Sequence, residues 1–236
     1  MNTILFDLDG TLVPVALEDF IKDYFGRLAD KMESLGFDKE SFIKESWKSV
    51  GKMMENDSQK TNEEVFWQSF INKSKPDSKL YEIFDSFYKN EFNLTKGILK
   101  EKRDFRQMFD TLKEKGYSLV LATNPLFPMS GVESRLNWVN LTPEDFIYIT
   151  TYDNSYCCKP NLKYYKRIFG KIGKKPEECL MVGNNVLEDM CVKKLGTQVY
   201  LITDFIENPL NESFDNIPNG NFAQFEKYIC GLDFAV

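Results

Sequence analysis

The chain has 236 residues, a hydrophobic fraction of 42% and a formal net charge of −6. This composition is sufficient for a buried core and argues against disorder, while the acidic balance argues against a general nucleic-acid-binding surface. Histidine is absent, which excludes Ser-His-Asp and Cys-His catalysis and every zinc site that needs imidazole.

The first part of the chain predicts one strand followed by helices alone. Residues 3–6 form a short apolar run that predicts a buried strand. Apolar residues at helical spacing then predict an amphipathic helix over about 16–35, followed by three more helices, one of which opens with a capping box at Thr61 and Glu64. We expect 16–92 to be an all-helical domain inserted after the first strand.

From about residue 99 strands and helices alternate, in a pattern that predicts the α/β class. The predicted strands cover 118–122, 147–151, 179–182 and 198–202. A helix is predicted over about 186–195. Such alternation predicts a doubly wound parallel sheet, in which ligands bind outside the carboxyl ends of the strands. We expect residues 1–15 and 93–236 to form one Rossmann-like core that carries this inserted domain.

The cysteines and the start of the chain indicate where the protein resides. Five cysteines are an odd number without the spacing of a disulfide framework, so we expect them to be reduced. No apolar run approaches the roughly 18 residues of a membrane span, and no basic signal-like segment precedes the first strand. We therefore expect a cytoplasmic protein, monomeric or homodimeric, without a membrane or nucleic-acid partner.

The first segment that carries chemistry lies where the first predicted strand ends. Asp7 and Asp9 are two residues apart and precede Gly10, so a turn at Gly10 can bring both carboxylates to one site. One carboxylate can then attack phosphorus while the other handles the proton of the leaving group. The alternative for this segment is a strand that ends in an ordinary polar turn.

Three later segments lie at strand ends or just before a helix, and each is ambiguous by itself. Thr123 and Asn124 offer a hydroxyl and a backbone N–H to a phosphate oxygen, but Thr-Asn-Pro is also a common turn sequence. Lys159 can neutralise a phosphate, or it can be a solvated lysine before a proline. The segment from Gly183 to Asp189 can bind Mg²⁺ through oxygen atoms, although acidic residues are common in a first helical turn.

Taken in order, these four segments resemble the four motifs of the haloacid dehalogenase superfamily of hydrolases, and the helical insertion resembles the cap of its subfamily I. The resemblance implies Mg²⁺-dependent hydrolysis of a small-molecule phosphate monoester through an aspartyl-phosphate intermediate. It implies that Asp7 is the nucleophile, Asp9 the general acid–base and Lys159 the balancing cation, with Thr123 as a further catalytic residue that holds a phosphoryl oxygen. The implied phosphate contacts are Thr11, Thr123, Asn124 and Lys159. The implied metal ligands are Asp7, Asp9, Asn184 and Asp189.

Asn184 departs from the family pattern, which has Asp at this position. A neutral amide oxygen can coordinate Mg²⁺, but a site with one carboxylate fewer should bind the ion more weakly. Three outcomes are open: Asn184 ligates a more weakly held metal, Glu188 or Asp189 replaces it, or activity is low. The last outcome corresponds to a ligand-binding or regulatory protein of the same fold.

Two further enzyme classes are related to this pattern. A phosphomutase would pass the phosphoryl group from Asp7 to a sugar instead of to water. The dehalogenases of the family lack the second aspartate of the first motif, so Asp9 argues for phosphate esters and against carbon–halogen bonds. The sequence does not identify the substrate. Glu18, Asp19 and Phe127 are candidate substrate contacts, although residues of these types at such positions are more often surface or packing residues.

Overall fold

Residues 1–73 and 75–231 are described by the structure, a computed structural model. The strands are β1 Thr3–Phe6, β2 Ser118–Leu121, β3 Tyr148–Ile149, β4 Cys179–Gly183, β5 Gln198–Ile202 and β6 Asn219–Gly220. All of them are parallel and form one sheet in the spatial order β3-β2-β1-β4-β5-β6. The predicted doubly wound parallel sheet of the α/β class is therefore confirmed.

Strand β1 lies between β2 and β4, which explains why the first strand is so apolar. Its residues are fully buried, because side chains cover both faces of the sheet. Ile4 and Phe6 face one core and Leu5 faces the other. Phe6 lies opposite Leu121 of β2 and Val182 of β4, so the segments that follow these three strands leave the sheet at one edge.

The helices lie between the strands and around the sheet. The α-helices are α1 Leu17–Ser34, α2 Lys39–Met54, α3 Asn62–Ile71, α4 Ser78–Lys89, α5 Arg106–Glu114, α6 Met129–Trp138, α7 Leu162–Ile172 and α8 Phe222–Cys230. Shorter 3₁₀ helices cover Glu91–Ile98, Pro143–Asp145, Pro176–Glu178 and Met190–Leu195. As predicted, α1 to α4 separate β1 from β2. The 3₁₀ helix Glu91–Ile98 extends this helical stretch, and the division into two domains stays a prediction.

Helix α3 begins with a capping box and with bonds to the segments that follow β2 and β3. The predicted capping box is confirmed, since the backbone N–H of Glu64 bonds the Thr61 hydroxyl at 3.2 Å and the Thr61 N–H bonds the Glu64 carboxylate at 2.9 Å. The fully buried Asn62 donates its backbone N–H to the carbonyl of Ser155 at 2.8 Å and its side chain to the carbonyl of Pro125 at 3.0 Å. These bonds fix the start of α3 beside the segments that follow β2 and β3.

Parts of the sequence-based prediction are wrong. The helix predicted over about 186–195 begins only at Met190 and is a 3₁₀ helix. The Asn185 side chain accepts hydrogen bonds from the N–H groups of Leu187 and Glu188 at 3.0 and 2.9 Å, and such local bonds compete with helix formation. Strand β3 is shorter than the predicted 147–151. Neither α6 nor β6 was predicted.

No two of the cysteines, all of which the structure describes, are joined in a disulfide. The five cysteines are free, and burial raises the pKa of the Cys158 thiol beside Lys159 to about 12, so Cys158 is not a thiolate nucleophile. Among the residues that the structure describes, no helix is long and apolar enough to cross a membrane. The cytoplasmic location and the oligomeric state stay predictions.

Candidate active site

Three of the predicted chemical segments meet at the carboxyl edge of the sheet. Asp7 follows β1, Thr123 comes shortly after β2, and Asn184 follows β4. Gly10 turns the chain after Asp7 with a φ of 81°, a conformation that glycine adopts without strain. A Cβ atom at Gly10 would collide with the side-chain amide of Asn184. The glycine therefore lets the first and fourth segments pack directly against each other.

Lys159 joins two carboxylates of the site. Its Nζ lies 2.7 Å from Oδ1 of Asp7 and 2.6 Å from Oδ1 of Asp189, and all three side chains are buried. Burial alone would lower the pKa of Lys159, but the charges of Asp189 and Asp7 outweigh burial and raise this pKa well above its usual value. The lysine is therefore a fixed positive charge next to Asp7, as the resemblance implies.

Asp9 forms an ion pair with Arg135, which no motif in the sequence predicted. The Arg135 side chain is fully buried, and its guanidinium donates to a carboxylate oxygen of Asp9. Its Nε donates to the carbonyl of Gly131 at 3.0 Å, and the ring centre of Phe127 lies 4.2 Å from its Cζ. Burial raises the pKa of Asp9 above its usual value, while Arg135 opposes the rise and Asp7 adds to it.

Only a weak sequence signal points to Arg135. It lies on α6 among the buried residues Val132, Leu136 and Trp138, so a charged residue occupies an inward-facing position of a short helix. Buried arginines are rare unless they are paired. That pattern could have marked Arg135 as the partner of a buried carboxylate, although the distance of 126 residues from Asp9 hides which carboxylate it is.

Both polar atoms of the Asn184 side chain are bonded within the protein. Its Oδ1 accepts a hydrogen bond from the Thr11 hydroxyl at 3.0 Å, and its Nδ2 donates to the carbonyl of Phe205 at 2.6 Å. Asn184 lines the cavity described below, whereas Thr11 is fully buried behind it. The Thr11 hydroxyl can therefore donate a hydrogen bond to phosphate only if its bond to Asn184 breaks.

The segment after β2 is held by bonds to its backbone. The carbonyl of Thr123 accepts from the hydroxyls of Thr150 at 2.7 Å and Tyr164 at 2.8 Å. The Asn124 side chain donates to a carboxylate oxygen of Glu188 at 3.0 Å. Thr123 and Asn124, two of the four predicted phosphate contacts, line the cavity next to Asp7, and these bonds fix their position.

Carboxylates are crowded at this edge of the sheet. Burial is the main cause that raises the pKa of Glu188 to about 7 and that of Asp189 to about 6, and the negative charge of Asp7 adds to both shifts. Burial, together with the negative charges of Asp7 and Asp189, raises the pKa of Glu207 to about 7. Glu207 accepts from the Asn185 side chain at 2.9 Å. It belongs to none of the four segments, so no motif in the sequence marks it.

The residues at this edge fit Mg²⁺, the ion that the family resemblance implies. Asp7, Asn184 and Asp189 line one cavity together with Asp9, and their donor atoms are oxygens, the ligands that Mg²⁺ prefers. Among the described residues no three carboxylate, thiol or imidazole groups come close enough to enclose one ion. Mg²⁺ needs no such cage, because one or two carboxylates, water and a substrate phosphate commonly complete its shell.

A cavity of about 260 Å³ extends from these residues into the helical insertion. Its inner end is lined by the carboxylates and by Thr123 and Asn124, and its outer walls come from α1 to α4. Of the three candidate substrate contacts, Phe127 lines the cavity and Glu18 and Asp19 do not. Asp19 instead pairs with Lys100 at 2.6 Å. The cavity therefore connects the edge of the sheet to the insertion.

Comparisons with known proteins agree with this architecture. A sequence model of the haloacid dehalogenase-like hydrolases matches residues 1–190. The pyrophosphatase PpaX of Bacillus cereus is 23% identical over 209 residues, which cover 86% of this chain and 83% of that protein. A haloacid dehalogenase-type phosphatase from Thermococcus onnurineus superimposes with a TM-score of 0.59 at 20% identity, over 100% of both chains. The L-2-haloacid dehalogenase of Xanthobacter autotrophicus superimposes with a TM-score of 0.58 at 12% identity, over 98% of this chain and 99% of its own.

Proposed function

The chain belongs to the haloacid dehalogenase-like hydrolases, and we propose that it is a phosphatase that hydrolyses small phosphate monoesters with bound Mg²⁺. The observation that supports this most is the contact of Lys159 with Asp7, 2.7 Å apart, beside Asp9. A nucleophile, a proton carrier and a fixed cation then lie together at one end of a cavity. Phosphoryl transfer depends mainly on such positioning and charge neutralisation.

In the proposed first step Asp7 forms a covalent bond to the substrate. One of its carboxylate oxygens attacks phosphorus, and the bond between phosphorus and the leaving-group oxygen breaks. Lys159 keeps its proton and offsets the negative charge on Asp7 and the phosphoryl group. Asp9 acts in this step in its protonated form and gives its proton to the leaving oxygen, a role for which a raised pKa is favourable.

In the second step water hydrolyses the aspartyl-phosphate. Asp9, now ionised, accepts a proton from the attacking water, and inorganic phosphate leaves as the Asp7 carboxylate is restored. We assign the binding of the phosphoryl oxygens to Thr123 and Asn124, which line the cavity beside Asp7. Thr11 is a less direct contact because Asn184 binds its hydroxyl.

When bound, Mg²⁺ supplies positive charge that offsets the charge of the phosphoryl group and Asp7. We propose that Asp7, Asn184, Asp189 and the main-chain carbonyl of Asp9 hold it, with Glu188 as the alternative carboxylate. The protein's own part is to keep these oxygens in place. The backbone N–H of Asn185 holds Asp189 at 3.0 Å, and Phe205 and Thr11 hold Asn184.

We further propose that 16–92 acts as a cap domain over a core formed by 1–15 and 93–236. The helices of the insertion form the outer walls of the cavity, and the start of α3 is bonded to the core. A cap in this position excludes bulk water from Asp7 during phosphoryl transfer, which strengthens the electrostatic interactions inside. Substrate choice then depends on the walls that the cap provides.

The proposal is tested by assaying two reactions with the same purified protein. We expect release of phosphate from p-nitrophenyl phosphate in Mg²⁺, its loss after EDTA treatment, and recovery when Mg²⁺ is restored in excess. Chloride release from 2-chloropropionate serves as the comparison for the dehalogenase reaction. Chloride release without phosphate release would contradict the assignment as a phosphatase.

A second candidate function is favoured by one observation. Both polar atoms of Asn184 are bonded within the protein, which is compatible with a phosphate-binding protein that turns substrate over slowly or not at all. Calorimetry with inorganic phosphate in Mg²⁺ separates the two candidates. Binding of phosphate together with a turnover no higher than that of Asp7→Asn would favour the binding protein.

A further inference from the structure

The outer part of the cavity is lined mainly by apolar and aromatic side chains. We call it the cap pocket, and it is lined by Phe25, Val50, Met53, Phe66, Trp67 and Phe84. These residues come from all four helices of the insertion. Four of them, Phe25, Met53, Trp67 and Phe84, are buried, so the pocket wall is continuous with the core of the insertion.

The charges in the cavity all have one sign. Among the described residues that line it, five are carboxylic acids and none is lysine or arginine. The carboxylic acids are Asp7, Asp9, Glu188, Asp189 and Glu207. The two buried cations nearby are already paired, Lys159 with Asp7 and Asp189 and Arg135 with Asp9. A second anionic group on the substrate would therefore find no cation in the cap pocket.

This distribution of charge discriminates between leaving groups. A carboxylate or second phosphate in the cap pocket would lose its hydration without a compensating partner, which strongly disfavours binding. An uncharged apolar group would remove its own surface and that of the walls from water, which favours binding. Arginine or lysine in the walls would instead have favoured an anionic leaving group over an uncharged one.

The polar atoms in the walls match an uncharged group as well. The hydroxyls of Tyr24 and Tyr88 lie 2.8 Å apart and bond each other. Ser46 is buried and lines the cavity, and its hydroxyl has no hydrogen-bond partner among the described residues. A single neutral donor or acceptor on the substrate could bond Ser46, but this hydroxyl cannot neutralise an anion.

The size of the cavity sets an upper limit on the leaving group. An apolar cavity of about 150 Å³ holds one benzene ring. The volume of about 260 Å³ found here includes the space beside Asp7 that the phosphoryl group needs. What remains fits one aromatic ring or a short alkyl chain.

We infer that the substrate is the phosphate monoester of an uncharged, largely apolar alcohol or phenol whose hydrocarbon part occupies the cap pocket. The inference rests on the phosphatase function proposed above and specifies its substrate class. It separates this chain from a pyrophosphatase, the activity in the name of the Bacillus cereus relative, because the leaving group of pyrophosphate is itself an anion. It also disfavours a phosphomutase, since the leaving group would be a sugar phosphate.

The inference is tested by binding rather than by turnover. Calorimetry in Mg²⁺ measures the affinity of methyl-, propyl- and pentylphosphonate, which carry the phosphate-like group on chains of increasing length and are not hydrolysed. We expect the affinity to rise by about threefold to fourfold for each methylene that enters the pocket. Phosphonoacetate, close in size to propylphosphonate but with a carboxylate, should bind at least about tenfold more weakly than propylphosphonate.

A pair of variants on α2 tests whether the rise of affinity with chain length arises in the cap pocket. Ser46→Leu adds bulk inside the cavity, whereas Lys44→Leu adds the same side chain at an exposed position of the same helix. Ser46→Leu should lower the affinity for pentylphosphonate by about tenfold and leave that for methylphosphonate unchanged, which also shows that the variant is folded. Lys44→Leu should change neither affinity.

The outcomes separate the substrate class from the phosphatase function. An affinity that does not rise with chain length, tighter binding of phosphonoacetate, or no binding of any alkylphosphonate would overturn the inference. Hydrolysis of p-nitrophenyl phosphate then shows whether the phosphatase function survives. A rise with chain length that Ser46→Leu abolishes supports the cap pocket, even for a protein that proves unable to hydrolyse the ester.

Discussion

The buried guanidinium of Arg135 donates a hydrogen bond to the carboxylate of Asp9, which links α6 to the segment that follows β1. The second oxygen of Asp9 is buried without a hydrogen-bond partner among the described residues. The arginine therefore fixes one oxygen of the proposed acid–base and leaves the other for the substrate. This makes Arg135 a positioning residue that acts through Asp9.

Replacing Arg135 should affect turnover more than substrate binding. We expect Arg135→Met to lower kcat for p-nitrophenyl phosphate by about tenfold to a hundredfold while KM stays within about threefold, because a displaced acid slows the chemical step. Arg135→Lys should recover part of kcat. The control is Arg106→Met, which removes a different paired arginine. Equal losses of activity in Arg135→Met and Arg106→Met would assign Arg135 a purely structural role.

Replacing Asp9 should matter most for poor leaving groups. A general acid contributes about a hundredfold or more when the leaving oxygen is basic, and less when it departs easily as an anion. We expect Asp9→Asn to lower kcat/KM for an alkyl phosphate by at least about tenfold more than for p-nitrophenyl phosphate. The same loss for both esters would show that Asp9 does not protonate the leaving group.

Restoring the charge at Asn184 should strengthen metal binding and weaken the metal-free fold. Asn184→Asp should lower the Mg²⁺ concentration for half-maximal activity by roughly tenfold, since one unit charge is added at the ion. It should also lower the melting temperature in EDTA, because the donor to the carbonyl of Phe205 is lost. Asn137→Asp on the exposed face of α6 is the control. An unchanged or higher Mg²⁺ requirement would place Asn184 away from the metal.

Asp145 should make stability depend on pH in acid. Burial raises its pKa, but hydrogen bonds from Arg106 and Lys113 outweigh burial and lower the pKa to about 2. A lowered folded-state pKa stabilises the fold above the unfolded-state value near 4, by about 2 kcal/mol, and this contribution disappears as the pH falls from about 4 to 2.

Urea unfolding of Asp145→Asn measures this contribution. The variant should be less stable than the wild type by about 2 kcal/mol at pH 7, and the difference should shrink towards pH 2. Asp110→Asn, which removes an exposed partner of the same Arg106, should change stability by less than about 0.5 kcal/mol. A difference between wild type and Asp145→Asn that persists at pH 2 would rule out the ion pairs as its source.

The fold was predictable because its signals are local and repeated. The buried strand β1 is a continuous apolar run in the sequence. The start of helix α3 is marked by the capping box of Thr61 and Glu64. The same logic failed for α6, where Arg135 interrupts the apolar pattern. It also failed after β4, where Asn185 bonds nearby backbone and replaces the first turns of a helix.

Only those site residues that follow strands were predictable from the sequence. Residues that directly follow strands, such as Asp7 and Asn184, meet because parallel strands end at one edge. Arg135 and Glu207 lie on segments whose approach depends on tertiary packing, so no sequence spacing reveals them. The apolar character of the cap pocket was likewise hidden, because a residue such as Phe66 or Trp67 at helical spacing reads equally well as the core of the insertion.

The central claim is that Asp7 is the nucleophile of a phosphatase, and the most direct measurement is the turnover of p-nitrophenyl phosphate in Mg²⁺ by three proteins. The wild type should exceed Asp7→Asn by at least about a thousandfold. The same change at the exposed Asp215, Asp215→Asn, should leave turnover unchanged. A wild-type rate no higher than that of Asp7→Asn would contradict the claim.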